Sequence, residues 1–393
     1  MKAHIWWHKA KTRSGPYGWR GWSIAVFATL WSSLASAQSI DTPADYAYLI
    51  DISSDTVLME KSADVPTAPA SMSKMMTVLM VLERLKAGTL QMDDTFPVSE
   101  KAWQKGGSKM FVEVGSRVRV DDLLRGIIVQ SGNDACIVVA EGLAGSETAF
   151  AAEMNARARE LGLKDSHFLN ATGWPEDGHV MSARDLAQLS KILITDFPEY
   201  YGMFSEKSFT YNGITQRNRN PILSEEIGAD GLKTGHTEES GYGLTASAKR
   251  GDRRLILVLN GLESATQRAR EAERLLEWGF RSFEGITLFE AQDKVEEAPV
   301  WLGERASVPL VLAERLAVTL PRQARGKMQV SIRYDAPIPS PIRKGQELGA
   351  LQVTAPGVQP VERPLIAGAD IDALGPVGRV LALTQYWLAR VLP

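Results

Sequence analysis

Three short patterns follow one another along this chain, and a fold that uses them must bring three separate segments together. They are Ser71-Met-Ser-Lys74, Ser131-Gly-Asn133 and Lys233-Thr-Gly235. In a chain of this length an S-x-x-K or S-x-N pattern arises by chance about once, whereas K-T-G arises in about one such chain in ten. No single pattern is therefore informative, but the three in this order describe a site for acyl transfer to a serine.

The first two patterns contain groups that can activate a serine and move its proton. A serine hydroxyl is a poor nucleophile until a base takes its proton, and a neutral lysine one helical turn away can be that base. Ser71 is therefore the candidate nucleophile and Lys74 its base, and Lys233 is a candidate for the nearby cation that keeps this base neutral. Ser131 offers a hydroxyl that can pass the proton to a leaving amine, and Asn133 offers an amide that can hold a substrate peptide bond.

The third pattern supplies groups that bind an anion. Lys233 and Thr234 offer a positive charge and a hydroxyl donor to a carboxylate, and Gly235 lets the backbone of a substrate approach the strand closely. A helix that begins at Ser71 places a backbone N–H where an oxyanion would form. Each pattern alone is equally well explained by a helix cap, a turn or a strand end. Jointly they favour an acyl donor with a free C-terminal carboxylate, which is the kind of substrate that a carboxypeptidase takes.

Residues 1–37 have the composition of a secretory signal peptide. They contain five cations and no acidic residue, and an apolar stretch from Trp22 to Leu34 precedes Ala35-Ser-Ala37. We predict cleavage after Ala37. A retained membrane anchor is the alternative, and it is less favoured because the apolar stretch is shorter than the ~20 residues of a spanning helix.

The remaining chain is acidic and contains one cysteine. The formal net charge of −3 becomes −8 once the five cations of residues 1–37 are removed, which argues against a nucleic-acid partner. Because Cys136 is the only cysteine, no internal disulfide can form, and its apolar neighbours predict a buried structural thiol. No pattern resembles a metal site, and no cofactor is implied.

Residues 38–282 contain both helical and strand patterns. A strand hairpin is predicted at 46–59, and the apolar stretch at 72–86 predicts a buried helix that begins at the nucleophile. Segment 120–143 predicts two helices with the second pattern on an outward-facing turn between them. The third pattern is predicted on, or entering, a strand beside a hairpin.

The end of the chain has a different texture. Short alternating strands separated by proline and glycine turns predict a separate small all-β domain at residues 283–374. Residues 375–393 predict an amphipathic helix with a wide apolar arc, and Arg379 and Arg390 share its narrow polar side. We expect this terminal cationic helix to lie in a membrane interface, and the alternative is a helix packed on the β domain.

Longer strings around these patterns resemble one family. The strings are Pro69-Ala-Ser-Met-Ser-Lys-Met-Met76, Ser131-Gly-Asn-Asp-Ala-Cys136, Ser182-Ala-Arg-Asp185, Asn218-Arg-Asn220, Lys233-Thr-Gly-His-Thr237 and Trp278-Gly-Phe280. Through these strings the chain resembles the low-molecular-mass penicillin-binding proteins that are serine-type D-alanyl-D-alanine carboxypeptidases. The resemblance implies an α/β (α+β) β-lactamase/transpeptidase-like domain with a helical cluster at residues 38–282, a small β-sandwich domain, and a C-terminal helix on the outer face of the bacterial inner membrane.

The resemblance also implies an activity and roles for two further residues. It implies that the protein works in the periplasm and removes the terminal D-alanine from peptidoglycan stem pentapeptides, through an acyl-enzyme on Ser71 that water later hydrolyses. It implies that penicillins and other β-lactams acylate the same serine. By the same resemblance, the backbone N–H of His236 completes an oxyanion hole with that of Ser71, and Arg219 helps to hold the substrate carboxylate.

Three other functions stay open. A class A β-lactamase would carry S-D-N where this chain has Ser131-Gly-Asn133, would not be expected to have an added β domain, and would need a deacylating glutamate that is not evident after Ser131. A D,D-endopeptidase would use the same chemistry on a neighbouring bond. A non-catalytic cell-wall-binding relative would keep the fold, although the intact patterns argue against it.

Overall fold

The structure, a computed structural model, describes residues 40–223 and 226–391. The predicted signal peptide, residues 1–37, lies outside the described residues. Contacts divide the chain into two compact units, one that ends at Ser282 and one that begins at Phe283. Each unit has its own hydrophobic core.

The first unit mixes helices and strands. In chain order they are β1 (Tyr46–Asp51), β2 (Thr56–Lys61), α1 (Lys74–Lys86), β3 (Thr95–Pro97), α2 (Glu100–Gln104), β4 (Arg117–Arg119), α3 (Val120–Ile128), α4 (Asn133–Ala144), α5 (Glu147–Glu160), α6 (Ala183–Asp196), α7 (Pro198–Tyr201), β5 (Ser208–Tyr211), β6 (Ile214–Arg217), β7 (Ala229–Thr237), β8 (Gly241–Arg250), β9 (Arg253–Leu262) and α8 (Ala265–Ser282). The predicted hairpin is the antiparallel pair of β1 and β2, which confirms that expectation.

One antiparallel sheet, in the order β2-β1-β9-β8-β7, separates two cores. Because successive side chains of a strand point to opposite faces, β9 contributes to both. Its leucines 255, 257 and 259 pack in one cluster with Leu275 and Leu276 of α8. Ile256 and Val258 pack in the other cluster, with α1 and the helices around it. The sheet that contains β7 and β8 therefore lies between two layers of helices. One layer is α8, and the other is α1 with the helices around it.

The turn between α3 and α4 is covered, which corrects the expectation that it faces outward. Ser131 is 2% exposed and Asn133 is 5% exposed. The reason is the buried carboxylate of Asp134, which accepts hydrogen bonds from the backbone N–H groups of Met110, Phe111 and Val112. These bonds hold the segment after α2 across the turn.

The second unit consists of strands followed by one long helix. In chain order they are β10 (Phe283–Phe289), β11 (Lys294–Trp301), β12 (Ser307–Leu312), β13 (Leu316–Pro321), β14 (Gln329–Tyr334), β15 (Ile338–Pro339), β16 (Glu347–Ala355), β17 (Val358–Ala367) and α9 (Pro376–Val391). One sheet has the order β14-β16-β17-β12-β11-β15, and β10 pairs with β13 in another. Side chains of both sheets share one core. The predicted fold class, an α/β domain followed by a small all-β domain, is confirmed.

The length and composition of the helices bear on whether one could span a membrane. Within residues 40–223 and 226–391, no single helix is long and apolar enough to cross a membrane. The pair α4 and α5, bent by 81°, has the length and composition of a broken span. Most of the α4 side chains are buried in the core of the first unit.

Candidate active site

Ser71 lies in a single 3-10 turn, Ala70–Ser73, that leads directly into α1. The residue before it, Ala70, has a left-handed backbone with φ +48°. A left-handed non-glycine residue costs about 1–3 kcal/mol and persists only where the surroundings hold it. The conformation of Ala70 therefore costs stability, and it fixes the backbone at Ser71. Ser71 itself is partly exposed.

Lys74, the first residue of α1, touches the Ser71 hydroxyl. Its Nζ donates to Ser71 Oγ at 2.7 Å and to the carbonyl oxygen of Thr172 at 2.5 Å. The side chain is completely buried. Burial lowers the pKa of Lys74 to about 8, and the positive charges of Arg219 and Lys105 act in the same direction. This lowered pKa increases the neutral fraction of Lys74 near neutral pH, and a general base must be neutral to accept a proton.

Ser131 and Lys233 form a second hydroxyl–amine pair. Lys233 Nζ donates to Ser131 Oγ at 2.9 Å and to the carbonyl oxygen of Thr234 at 3.2 Å. Ser131 has φ +60°, so this hydroxyl is also presented from a left-handed backbone. Burial lowers the pKa of Lys233 well below its ordinary value, and the neighbouring Lys74 adds to the effect. The charge of Lys74 therefore opposes protonation of Lys233, whereas the cations that lower the pKa of Lys74 are Arg219 and Lys105.

Asn133 and Arg219 both contact the segment that covers the turn. The Asn133 side-chain amide donates to the carbonyl oxygen of Gly106 at 2.9 Å. Arg219 Nη1 donates to Ser108 Oγ at 2.6 Å. Burial lowers the pKa of Arg219. The segment Gly106–Ser108 thus joins these two predicted site residues.

Lys233, Thr234, Gly235 and His236 are consecutive residues of β7, paired with β8. The side chain of His236 is exposed, and its ring centroid lies 3.9 Å from that of Tyr242. A Cβ at Gly235 would lie 2.8 Å from the Pro69 carbonyl oxygen and 3.2 Å from the Ala70 Cβ. Close approach of a substrate was the expected reason for this glycine, whereas in the structure the glycine lets β7 pack against the turn that contains Ser71.

Comparison with known proteins agrees with this geometry. The sequence profile of D-alanyl-D-alanine carboxypeptidases matches residues 33–263, and the profile of the penicillin-binding protein 5 C-terminal domain matches residues 283–373. The D-alanyl-D-alanine carboxypeptidase DacC of Escherichia coli (strain K12) is 38% identical over 369 residues, which are 91% of this chain and 92% of that protein. This chain belongs to the D-alanyl-D-alanine carboxypeptidase family.

Solved structures of penicillin-binding proteins are similar to all or part of this chain. Penicillin-binding protein 5 of Haemophilus influenzae superposes with a TM-score of 0.80 at 35% identity, over 85% of this chain and 98% of that chain. Penicillin-binding protein D2 of Listeria monocytogenes, in its ampicillin-bound form, gives a TM-score of 0.57 at 30% identity, over 62% of this chain and 99% of that chain. The predicted family is therefore confirmed, and this member is a peptidase.

The residues around Thr172 were not predicted from the sequence to belong to this site. Asn170 Oδ1 accepts hydrogen bonds from the backbone N–H groups of Thr172 and Trp174, which shapes the loop that presents the Thr172 carbonyl to Lys74. Gly173 has φ +72°, and a Cβ there would lie 1.9 Å from the Ala70 carbonyl oxygen. The only sequence signal was the turn-forming composition of Asn170-Ala-Thr-Gly, which does not say what the turn touches.

Cys136 is a buried structural thiol in this family member, as predicted. It is fully buried, and burial raises its pKa to about 12. A thiol with so high a pKa is not a nucleophile at neutral pH. Within the described ranges there is also no group of three or more His, Cys, Asp or Glu side chains that could hold a metal ion.

Proposed function

We propose that the protein removes the terminal D-alanine from peptidoglycan stem pentapeptides through an acyl-enzyme on Ser71. The observation that carries this proposal is the 2.7 Å contact between Lys74 Nζ and Ser71 Oγ. The pKa of Lys74, lowered to about 8, makes this amine able to accept the serine proton.

The reaction has two steps. Ser71 Oγ attacks the carbonyl carbon between the two D-alanines while Lys74 takes its proton, and the backbone N–H groups of Ser71 and His236 bind the oxyanion. The C–N bond breaks as the Ser131 hydroxyl gives its proton to the leaving amine and takes up the proton that Lys74 holds, which releases D-alanine and leaves an ester on Ser71. Water then attacks this ester, and the shortened peptide leaves as the serine regains its proton.

The substrate carboxylate is proposed to lie against β7. Lys233 supplies a positive charge, Thr234 a hydroxyl donor, and Arg219 a second cation near the same end of the cleft. Because burial lowers the pKa of Lys233, an arriving carboxylate favours its ammonium form. Asn133 is proposed to hold the amide on the acyl side of the bond that is cleaved.

β-Lactams are proposed to acylate the same serine and to leave it slowly. The Listeria relative, penicillin-binding protein D2, holds ampicillin in its solved structure. Two carboxylates near the site are already engaged: Asp134 accepts backbone N–H bonds, and Glu147 pairs with Lys101 at 2.8 Å. Because both carboxylates are held in these contacts, we expect trapping rather than the turnover of a β-lactamase.

The proposal is tested by the intact mass of the protein after incubation with benzylpenicillin, together with D-alanine release from diacetyl-Lys-D-Ala-D-Ala. An adduct mapped to Ser71, with D-alanine release, supports the proposal. Fast drug hydrolysis without an adduct would make the protein a β-lactamase. Neither adduct nor release would instead favour a non-catalytic cell-wall-binding relative.

Acylation is expected to depend on pH through Lys74. Below its pKa of about 8 the amine is protonated and cannot accept the Ser71 proton, so the rate rises with pH and levels off above that value. The measurement is the second-order rate of acylation by benzylpenicillin between about pH 6 and pH 10. A rate that is independent of pH across this range would remove Lys74 as the base.

We also propose that the protein is exported to the periplasm and attached to the outer face of the inner membrane. In this organisation residues 1–37 are the signal peptide, 38–282 the catalytic domain, 283–374 the β-sandwich domain and 375–393 the membrane-associating helix. Val377 is 74% exposed, Val380 64% and Leu381 60%, and these apolar side chains belong to α9. Such an exposed apolar face is typical of an interfacial helix.

Removal of this helix tests the attachment. We expect a chain that stops after Gly375 to move from the membrane fraction to the soluble fraction, because the exposed apolar side chains of α9 are lost. Its kcat/KM on diacetyl-Lys-D-Ala-D-Ala should stay within about twofold, since the catalytic groups precede residue 283. Continued membrane fractionation of the truncated chain would contradict the proposed anchor.

A further inference from the structure

An exposed tryptophan and a lysine lie together beside the catalytic cleft. Trp174 is 42% exposed. Lys105, just after α2, places its Nζ 4.6 Å from the centroid of a Trp174 ring. Among residues 40–223 and 226–391, no carboxylate pairs with this ammonium group. The pair therefore presents an aromatic face and a positive charge that is free to bind an anion.

The pair lies next to Asn133. A Cβ at Gly107 would lie 2.8 Å from Asn133 Nδ2 and 2.9 Å from Cζ3 of Trp174, so only a glycine separates the amide from the indole. One residue further along the segment, Ser108 accepts the hydrogen bond from Arg219. The segment thus has Trp174 and Lys105 at one end and Arg219 at the other. The charge of Lys105 also contributes to lowering the pKa of Lys74, which places it within electrostatic reach of the reacting groups.

The order of these residues along the cleft indicates in which direction the substrate peptide runs. The proposed function puts its terminal carboxylate near Lys233 and Arg219, and its acyl-side amide at Asn133. The next residue towards the amino end lies about 3.8 Å further along the peptide, measured between Cα atoms. That residue, the third of the stem peptide, then reaches the space beside Trp174 and Lys105.

We propose that Lys105 and Trp174 form a subsite for the third residue of the stem peptide, and that this subsite selects a side chain with a free carboxylate, as in diaminopimelate. The inference rests on the proposed carboxypeptidase function. The ammonium of Lys105 binds the carboxylate, while the indole of Trp174 covers the methylene groups that carry it. A third residue without this carboxylate loses the ion pair.

The test compares two pentapeptides that differ only at this carboxylate. One contains meso-diaminopimelate as its third residue, and the other contains the same residue with its side-chain carboxyl amidated. D-alanine release gives kcat/KM for each. We expect the ratio of the two values to be about fivefold in favour of the free carboxylate, as for a partly exposed ion pair. A substitution of Lys105 that alters Lys74 should affect both peptides equally, so this effect does not change the ratio.

Variants of Lys105 test whether this residue causes the preference for the free carboxylate. Lys105→Gln should bring the ratio close to one, and Lys105→Glu should favour the amidated peptide, because the carboxylate is then repelled. Lys109→Gln is the matched control: it removes the same charge from the same segment, but Lys109 Nζ contacts the Trp103 carbonyl oxygen. It should preserve the wild-type ratio.

The two proposals fail in distinguishable ways. If the wild type releases no D-alanine from either peptide, the carboxypeptidase function fails and this inference fails with it. If the wild type cleaves both peptides equally well, only the subsite is wrong. An equal fall of the ratio in Lys105→Gln and Lys109→Gln would replace the subsite with a general effect of charge.

Discussion

Replacement of Ser71 by alanine is expected to abolish both the penicillin adduct and D-alanine release. The side-chain oxygen forms the acyl bond, so kcat/KM should fall by at least ~10⁴-fold, as for other serine nucleophiles. The measurements are intact mass after incubation with benzylpenicillin and D-alanine release from diacetyl-Lys-D-Ala-D-Ala. The melting temperature should change little, because the hydroxyl is partly exposed.

Ser73→Ala is the matched control in the same turn. Ser73 Oγ donates to the Ala70 carbonyl oxygen at 3.1 Å and has no part in the proposed acyl transfer. This variant should lose about 1 kcal/mol of stability and still form the adduct. If Ser71→Ala released D-alanine at the wild-type rate, the assigned nucleophile would be wrong.

Gly173→Ala is expected to displace the turn that carries Ser71. The new Cβ would lie 1.9 Å from the Ala70 carbonyl oxygen and 2.5 Å from Ser73 Oγ, so the turn that carries the nucleophile must move. We expect the free energy of unfolding to fall by about 2–4 kcal/mol. Acylation of the folded fraction should slow by about 100-fold, because a displacement near 1 Å has that effect on reacting groups.

Gly162→Ala separates the clash from the backbone strain. Gly162 and Gly173 both have φ +72°, but the nearest atom to a Cβ at Gly162 is Gln188 Nε2 at 3.7 Å. The control should lose about 1–2 kcal/mol of stability and acylate at the wild-type rate. If Gly173→Ala also acylated at the wild-type rate, the packing of this loop on the Ser71 turn would not position the reacting groups.

Local patterns were sufficient for most of the elements. Two strand-like runs that flank Ser53-Ser-Asp55 predicted the hairpin of β1 and β2, and the apolar stretch at 72–86 predicted α1. The boundary was less accurate: the predicted helix began at the nucleophile, whereas α1 begins at Lys74 after a 3-10 turn. Hydrophobic periodicity reports which face is buried and does not distinguish the first turn of an α-helix from a 3-10 turn.

Burial of the second pattern was not predictable in the same way. The sequence places Ser131-Gly-Asn133 between two helices, and such turns usually face solvent. Here the turn is buried because Asp134 accepts hydrogen bonds from the N–H groups of Met110, Phe111 and Val112. These residues lie 22 to 24 positions before Asp134 in the chain. No local propensity of either segment indicates that they meet.

The sequence by itself determined the chemical groups of this protein and their order: a serine with a lysine one turn away, a second serine with an amide, and a lysine and hydroxyl on a strand. These groups and the longer strings around them are covalent facts, and together they were sufficient to predict the family. The tertiary structure alone decided that Lys74 binds the Thr172 carbonyl 98 residues away, and that Gly173 and Gly235 leave room for the Ser71 turn. The physical reason is that a lowered lysine pKa and a close backbone approach depend on what surrounds a residue in space, which its neighbours in the chain do not specify.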